Sequence, residues 1–576
     1  MKKLSLKTWI NQFKLVLVRF PFTLLFIIGL SVLCFLSIQK VKIDIRQGLW
    51  AFFILGMLLN VAVTLYLEEF KKPTVRILIN ILSTALLALY CFSLPVKLPE
   101  YQYYQLVALG IVFVLSAFFI SFLKKNNEIP FWNFSRDCII EMFIASVFSN
   151  VLFAGLGLAI LSLDKLFHIQ IEQEVYSNLA VVCYIIFTPV YFLSNIPDEI
   201  EKRKQDISFN KIIRIFGIYI LLPILAAYTL ILYVYLFRII AKWELPNGWV
   251  STLVSVLGMA GFLCMLILYP LRLTKESKLV DILSRYFPIV LFPLLVLMSV
   301  GIFRRLGDYG LTINRCYVLV LNVWLFLISF YLILSQSRYL KWIVISFAFV
   351  TFICSVGPWS VFNITHHSIE LQLNNYLIRN HSLKDGKIVL GEVKVAKVDS
   401  VAQFKTAESI RYLLKTFGND AVQKYFTISL KGKSESEILA LLKMNNVPNA
   451  QEYFWLNLEN KSLEIDTRLY KSFRVLTLNQ NEKLVYSDDQ VNAEILSGYL
   501  IIKYKSGDHL PDKILLKDKI KSLIQENLKN RKNNFPKEEM ILKGANFMLL
   551  IKTVSGNYRF EQDKLTVVNF EAYFFN

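Results

Sequence analysis

The sequence predicts a polytopic α-helical membrane protein, about 11 transmembrane helices followed by a C-terminal α+β domain, and three observations carry that expectation. Of its 576 residues 55% are hydrophobic, and the mean hydropathy is +0.49, more apolar than soluble domains allow. The apolar residues collect in runs of about 20, the length that crosses a hydrocarbon core roughly 30 Å thick. Near residue 365 the pattern changes, because apolar runs shorten to strand length and charges recur every few residues.

The runs are about 19–38, 47–66, 77–94, 104–123, 138–162, 177–195, 215–237, 249–271, 286–303, 316–335 and 341–358. The first follows a basic start, as a secretory signal would, but it is too long and lacks a small-residue cleavage site, so it reads as a retained helix. The fifth carries Glu141 near its start, where the carboxylate is expected to snorkel or to pair with Arg136. Residues 1–130 thus hold the first four helices and residues 131–365 the other seven. Residues 366–576 form a soluble domain, predicted extracytoplasmic, long enough to bury a core of its own.

The tail begins with helical spacing in SIELQLNNYLIRN, VAQFKTAESIRYLLKTFG and SESEILALLKMNN, with Gly418 as a stop. From Tyr453 the period becomes that of strands, in YFWLNLE, SFRVLTLN, EKLVYS, ILSGYLIIKYKSG, FMLLIKTVSG and KLTVVNFEAYFF, interrupted by a helix over DKILLKDKIKSLIQENLKNR. The expected sheet is mostly antiparallel. Within the membrane part, Arg214-x-Phe216-x-Ile218 with Pro223 is echoed by Arg285-x-Phe287-x-Ile289 with Pro293, which suggests a repeated helix pair.

Lys and Arg are enriched on the cytoplasmic side of membrane proteins. With the N-terminus inside, 22 of those in the membrane part fall at cytoplasmic ends and 10 at outer ends. The expected localisation is therefore a bacterial cytoplasmic (inner) membrane, multi-pass, with a cytoplasmic N-terminus and, after an odd number of helices, an extracytoplasmic tail. The net charge of +20 divides into +14 for residues 1–365 and +6 for the rest. Most of the excess is orientation charge beside anionic lipid, and the tail has no basic stripe, so nucleic acid is not an expected partner.

All seven cysteines lie in or beside apolar runs and the tail has none, which points to small buried side chains, with neither a disulfide framework nor a cysteine metal site. Of five histidines only His366, His367 and His381 fall close together, and no metal is expected there. There is no GxxxxGK(S/T), HExxH or GxSxG, so no catalytic residue and no cofactor are assigned. The first outer loop, QKVKIDIRQ, surrounds Asp44 with basic residues and is a poor match to the acidic outer loop that a lipid-linked glycosyltransferase wants.

Polarity collects instead at outer helix ends. SLDKLFHIQ, RIIAKWELPNGW, FRRLGDYGLTINR and GPWS converge on the side that carries the tail. Arg304, Arg305 and Arg315 offer planar forks suited to phosphate or carboxylate, and Asp308, Glu244 and Asp164 are placed to hold them. Trp243 and Tyr309 suit the membrane interface, while Asn247 sits in the LPNG turn at 245–248. Together these nine residues form the candidate binding rim, for an anionic lipid head group, a glycan or an envelope protein partner.

The stretches VRFPFTLL (18–25), VLFAGLGLAILSLDKLF (151–167), WELPNGWVS (243–251), LYPLR (268–272), RRLGDYGLTINRCYVLVL (304–321) and GPWSVF (357–362), with LKDGKIV (383–389) in the tail, resemble bacterial membrane proteins carrying the domain of unknown function DUF4153. The resemblance spans most of residues 18–362. It implies a polytopic membrane protein without an established activity and brings no catalytic residues with it. The expectation is accordingly a non-enzymatic cell-envelope protein binding at its outer rim. Two other classes stay open, a transporter or exporter of an amphiphilic substrate, and a membrane enzyme on a lipid-linked substrate with Asp308, Glu244 or Asp164 as acid or base.

Overall fold

In the computed structural model the described residues are 14–39, 46–70, 72–123, 127–168, 171–205, 211–242 and 249–379, then 383–384, 387–388, 400–441, 452–459, 472–479, 485–489, 491–496, 498–505, 512–530, 533–543, 547–559 and 564–575. They divide into two compact units, Met1–Ile369 and Glu370–Asn576.

The first unit is a bundle of α-helices: α1 (Pro21–Ile38), α2 (Gln47–Leu67), α3 (Pro73–Ser93), α4 (Glu100–Phe122, its last turn 3-10), α5 (Glu128–Phe167), α6 (Gln173–Asn195), α7 (Lys211–Lys242), α8 (Trp249–Ile267), α9 (Lys278–Tyr309), α10 (Ile313–Leu334) and α11 (Lys341–Ser355). Among the described residues, the first ten are long and apolar enough to cross a membrane, and α11, with 15 residues, is shorter. Each expected run has its helix. Pro21 and Pro73 open α1 and α3, where a missing N–H has no acceptor to lose. Large apolar side chains point outward along these helices, among them Leu78, Leu89, Phe143, Val151 and Phe237. Water would not tolerate so much apolar surface, whereas hydrocarbon covers it without cost.

The helices are joined by small polar groups as well as by packing. Ser299 Oγ donates to Asn322 Oδ1 at 2.9 Å, and Trp324 Nε1 donates to Ser346 Oγ at 3.0 Å, both across helix pairs in an apolar setting. Prolines explain most of the irregularity. A π-helical turn, Val181–Phe187, precedes Pro189 in α6, and another, Phe216–Leu221, precedes Pro223 in α7, because proline removes the donor that would close the α-helical ring. In α9, Pro288 leaves the carbonyl of Ser284 without its i+4 donor, and the Ser337 hydroxyl supplies one at 2.7 Å. Pro223 thus follows a π turn while Pro293 lies inside an α-helix, so the suggested repeat is not matched in backbone conformation at its prolines.

Three sequence expectations change here. The stretch FRRLGDYGLTINR is mostly helix, since α9 continues through Tyr309 and only Gly310–Thr312 connect it to α10. Gly310 ends α9 with φ +73°, a conformation open to glycine. The fifth run lies within a helix of 40 residues, about 60 Å long. The extra turns EIPFWNFSRD bury Phe131, Trp132 and Phe134 against protein rather than lipid. Finally, Arg136 bonds Asp137 at 2.7 Å, where the sequence offered Glu141 as its partner or as a snorkelling carboxylate.

The boundary between the units falls inside α12 (Val361–Arg379). The second unit contains α13 (Ser400–Phe417), ended by Gly418 at φ +84°, α14 (Glu435–Leu441) and α15 (Leu516–Asn530). Its strands are β1 (Leu383–Lys384), β2 (Lys387–Ile388), β3 (Glu452–Leu458), β4 (Phe473–Asn479), β5 (Val485–Ser487), β6 (Val491–Leu496), β7 (Tyr499–Tyr504), β8 (Asp512–Leu515), β9 (Asn534–Phe535), β10 (Ile541–Lys543), β11 (Met548–Arg559) and β12 (Lys564–Phe575). They form a hairpin of β1 and β2, a six-stranded sheet ordered β4-β12-β11-β3-β9 with β10 also on β11, and a four-stranded sheet ordered β5-β6-β7-β8. Among these ladders the β3–β9 pair alone is parallel. The segment DKIL, expected to open a helix, is β8, and the helix begins at Leu516. Its residues Leu516, Ile520, Leu523 and Ile524 share one buried face and join the core of the sheets. At the β11 register shift a Cβ on Gly556 would lie 2.2 Å from the Thr566 carbonyl oxygen, so the strands approach as closely as they do only because glycine is there.

Tyr425 is 3% exposed. Burial, reinforced by the neighbouring Glu370 charge, pushes its phenol up to about 12. Between the ordinary value near 10 and that value, the unfolded chain is ionised at this site and the folded chain is not. The folded state therefore holds the extra proton, and stability falls as pH rises through that window. The melting temperature in detergent is expected to drop further from pH 9 to pH 11 for the parent than for Tyr425→Phe. Equal drops would show that this phenol does not govern alkaline sensitivity.

Candidate functional site

Helix connectivity puts the ends of α1, α3, α5, α7 and α9 on one face, and the expected rim residues belong there. Arg304 and Arg305 are exposed in the last turns of α9. Arg315, in the first turn of α10, is half-buried and donates from Nη1 to the Gly310 carbonyl at 2.8 Å, so part of its fork holds the α9–α10 turn. Asp164 lies near the end of α5 with the Lys165 ammonium 3.3 Å away. Trp243, Glu244 and Asn247 lie outside the described residues, as do the side chains of Asp308 and Tyr309. The structure therefore brings Arg304, Arg305 and Arg315 to the α9–α10 turn.

Sequence reading missed a more elaborate polar cluster on the opposite face, where α1, α3, α5, α7, α9 and α11 begin. Arg19, just before α1, bonds Glu68 at 2.7 Å and donates to the carbonyls of Ile196 at 2.6 Å and Pro197 at 2.7 Å. The second Glu68 oxygen holds the Lys202 ammonium, which also faces the Phe134 ring at 5.5 Å. Lys202 is 6% exposed; burial pulls its pKa down, and Glu68 pulls it part of the way back. Nearby, Lys341 at the start of α11 is 2% exposed and Glu128 at the start of α5 is 8% exposed. The Lys341 ammonium donates to the Phe122 carbonyl at 3.1 Å and lies 3.7 Å from Glu128, whose other oxygen accepts the Lys341 backbone N–H at 3.1 Å. Arg272, at the end of LYPLR, donates to the carbonyls of Gln336 and Ser337, and Tyr269 to that of Arg338 at 2.9 Å. The lysines and arginines among these flank apolar runs, where the sequence reads them as orientation charge. Nothing in their spacing distinguishes a lysine in water from one buried against a carboxylate.

Two recesses adjoin this cluster. A polar cleft of about 300 Å³ is lined by Glu68, Glu69, Ser121, Glu199, Lys202 and Arg203 among others. An apolar crevice of about 260 Å³ lies between α1, α2, α4, α5 and α6, and Leu65 lines both. Among the described residues no three His, Cys, Asp or Glu side chains are grouped to hold a metal ion.

An uncharacterized protein of Pasteurella multocida is 24% identical over 318 residues, covering 55% of this chain and 51% of its own length. The chain thus spans about half the length of this curated relative. No solved structure matches it. A family model described as "Domain of unknown function (DUF4153)" matches residues 24–387, well over half of the chain, and the protein belongs to that family.

Proposed function

We propose that this protein is a non-enzymatic, multi-pass protein of a bacterial inner membrane, its N-terminus cytoplasmic, that binds an anionic lipid head group where α9 gives way to α10. The observation that carries this reading is the pair of exposed guanidinium groups, Arg304 and Arg305, on the final turns of a membrane-length helix. There they sit at head-group depth and can meet phosphate oxygens through paired hydrogen bonds. Arg315 fixes the turn that presents them. In native mass spectrometry of the protein with added phosphatidylglycerol, Arg304→Ala/Arg305→Ala is expected to weaken lipid retention about tenfold, from the loss of charge-assisted contacts. Retention equal to the parent's would remove the assignment.

A second reading, handling of an amphiphile by transport or export, is favoured by the apolar crevice between α1, α2, α4, α5 and α6. It requires the amphiphile to move between the two faces, which a flux measurement in vesicles tests directly.

A further inference from the structure

We infer that the crevice between α1, α2, α4, α5 and α6 is a binding site for one acyl chain of a membrane lipid, at the end of the bundle remote from Arg304 and Arg305. Its walls are made by Met57 and Val61 of α2, Ala117 and Phe118 of α4, and Phe134 and Cys138 of α5, with α1 and α6 completing the ring. The span from Leu65 back to Met57 is about 12 Å of helix, so the space is long as well as narrow. At about 260 Å³ it is larger than apolar cavities that stay dry and accept small hydrocarbons.

Three features select a lipid chain as the occupant. Val114, Met142 and Tyr184 line the crevice and are all exposed, so it opens sideways between membrane-length helices, toward surrounding hydrocarbon. A tail can enter from there without passing through water. Next, Thr23 lines the same space and is wholly buried, and its hydroxyl has no partner among the described residues. A buried hydroxyl without a bond is costly, and the ester carbonyl next to an acyl chain supplies the acceptor it lacks. Finally, Thr23 stands in the first turn of α1, and Leu65 separates the crevice from the charged cleft holding Lys202 and Arg203. An acyl chain lying inward from Thr23 therefore has its head group beside charged side chains. The chain is in the oily space and the ester is at the lone hydroxyl.

The test uses the full-length protein in vesicles of phosphatidylethanolamine and phosphatidylglycerol, with a phosphatidylglycerol probe carrying a diazirine in one acyl chain. After irradiation, adducts are mapped by mass spectrometry. Crevice residues such as Val61, Phe118 and Met142 are expected to be labelled above Phe143 and Leu158, which are exposed on α5 and do not line the crevice. Ala117→Phe and Val61→Phe fill the space from α4 and from α2. Each is expected to lower labelling of the remaining wall residues about tenfold, the effect of excluding two or so methylene groups from an apolar site, while Phe143 and Leu158 are labelled as before. Variants that melt well below the parent are set aside, and whichever filler folds decides. Arg304→Ala/Arg305→Ala is expected to keep the crevice labelling, which separates this site from the one proposed at the α9–α10 turn. Wall residues labelled no more than Phe143 and Leu158, or labelling unchanged in a folded filler, would overturn the assignment.

Discussion

Lys341→Ala is expected to destabilise the membrane unit by about 3–5 kcal/mol, the range for breaking a buried ion pair from one side. The substitution leaves the Glu128 carboxylate 8% exposed without its cation, and the Phe122 carbonyl without its donor. Three helix ends meet there, so the loss is felt at α4, α5 and α11 together. The pair itself contributes much less than its breakage costs, because desolvating both charges offsets most of their attraction. Lys341→Met/Glu128→Gln should therefore recover most of the loss, the amide oxygen still accepting the Lys341 backbone N–H. Melting in detergent checks both. A single variant as stable as the parent, or a double variant no better than the single, would contradict this account of the contact.

Glu68→Ala is the second large effect, about 3 kcal/mol near neutral pH, and it carries a pH signature. Arg19 keeps its bonds to the carbonyls of Ile196 and Pro197, so the damage falls on Lys202, buried and deprived of the carboxylate that holds its ammonium. Burial already lowers the pKa of Lys202 and Glu68 opposes that shift, so removing Glu68 lowers it further. Below the folded value both states carry the charge and the whole burial cost is present. Between the folded value and the ordinary lysine value of about 10.5, the unfolded state binds the extra proton, and stability rises with pH. The deficit of Glu68→Ala should therefore shrink as pH climbs toward that value. Lys202→Met in the same background should remove the pH dependence. A deficit independent of pH would mean that Lys202 is not the group left stranded.

The helices were legible because a membrane span leaves a local record, a run of about 20 residues with few charges. Every expected run corresponds to a helix among the described residues, and the strand periods of YFWLNLE and KLTVVNFEAYFF correspond to β3 and β12. The misreadings came where local pattern has two meanings. FRRLGDYG is polar enough for a loop, yet arginines suit the last turns of a helix by complementing its dipole, and α9 continues through them. DKIL has the apolar spacing of a helix start and was taken by the edge of a sheet, where β7 offers its free ladder.

By itself the sequence determined that this is a polytopic membrane protein with a separate α+β tail, because hydropathy over 20 residues and strand periodicity are properties of contiguous chain. Tertiary structure alone decided which charges are buried and with whom. Glu68 meets Arg19 and Lys202 across separations of 49 and 134 residues, and Lys341 meets Glu128 across 213. Such pairings depend on how helix ends are brought together on one face, and a charge beside an apolar run reads the same whether it ends in water or against a carboxylate. The crevice has the same origin. Its walls come from five helices, each of which is, along the chain, only another apolar run.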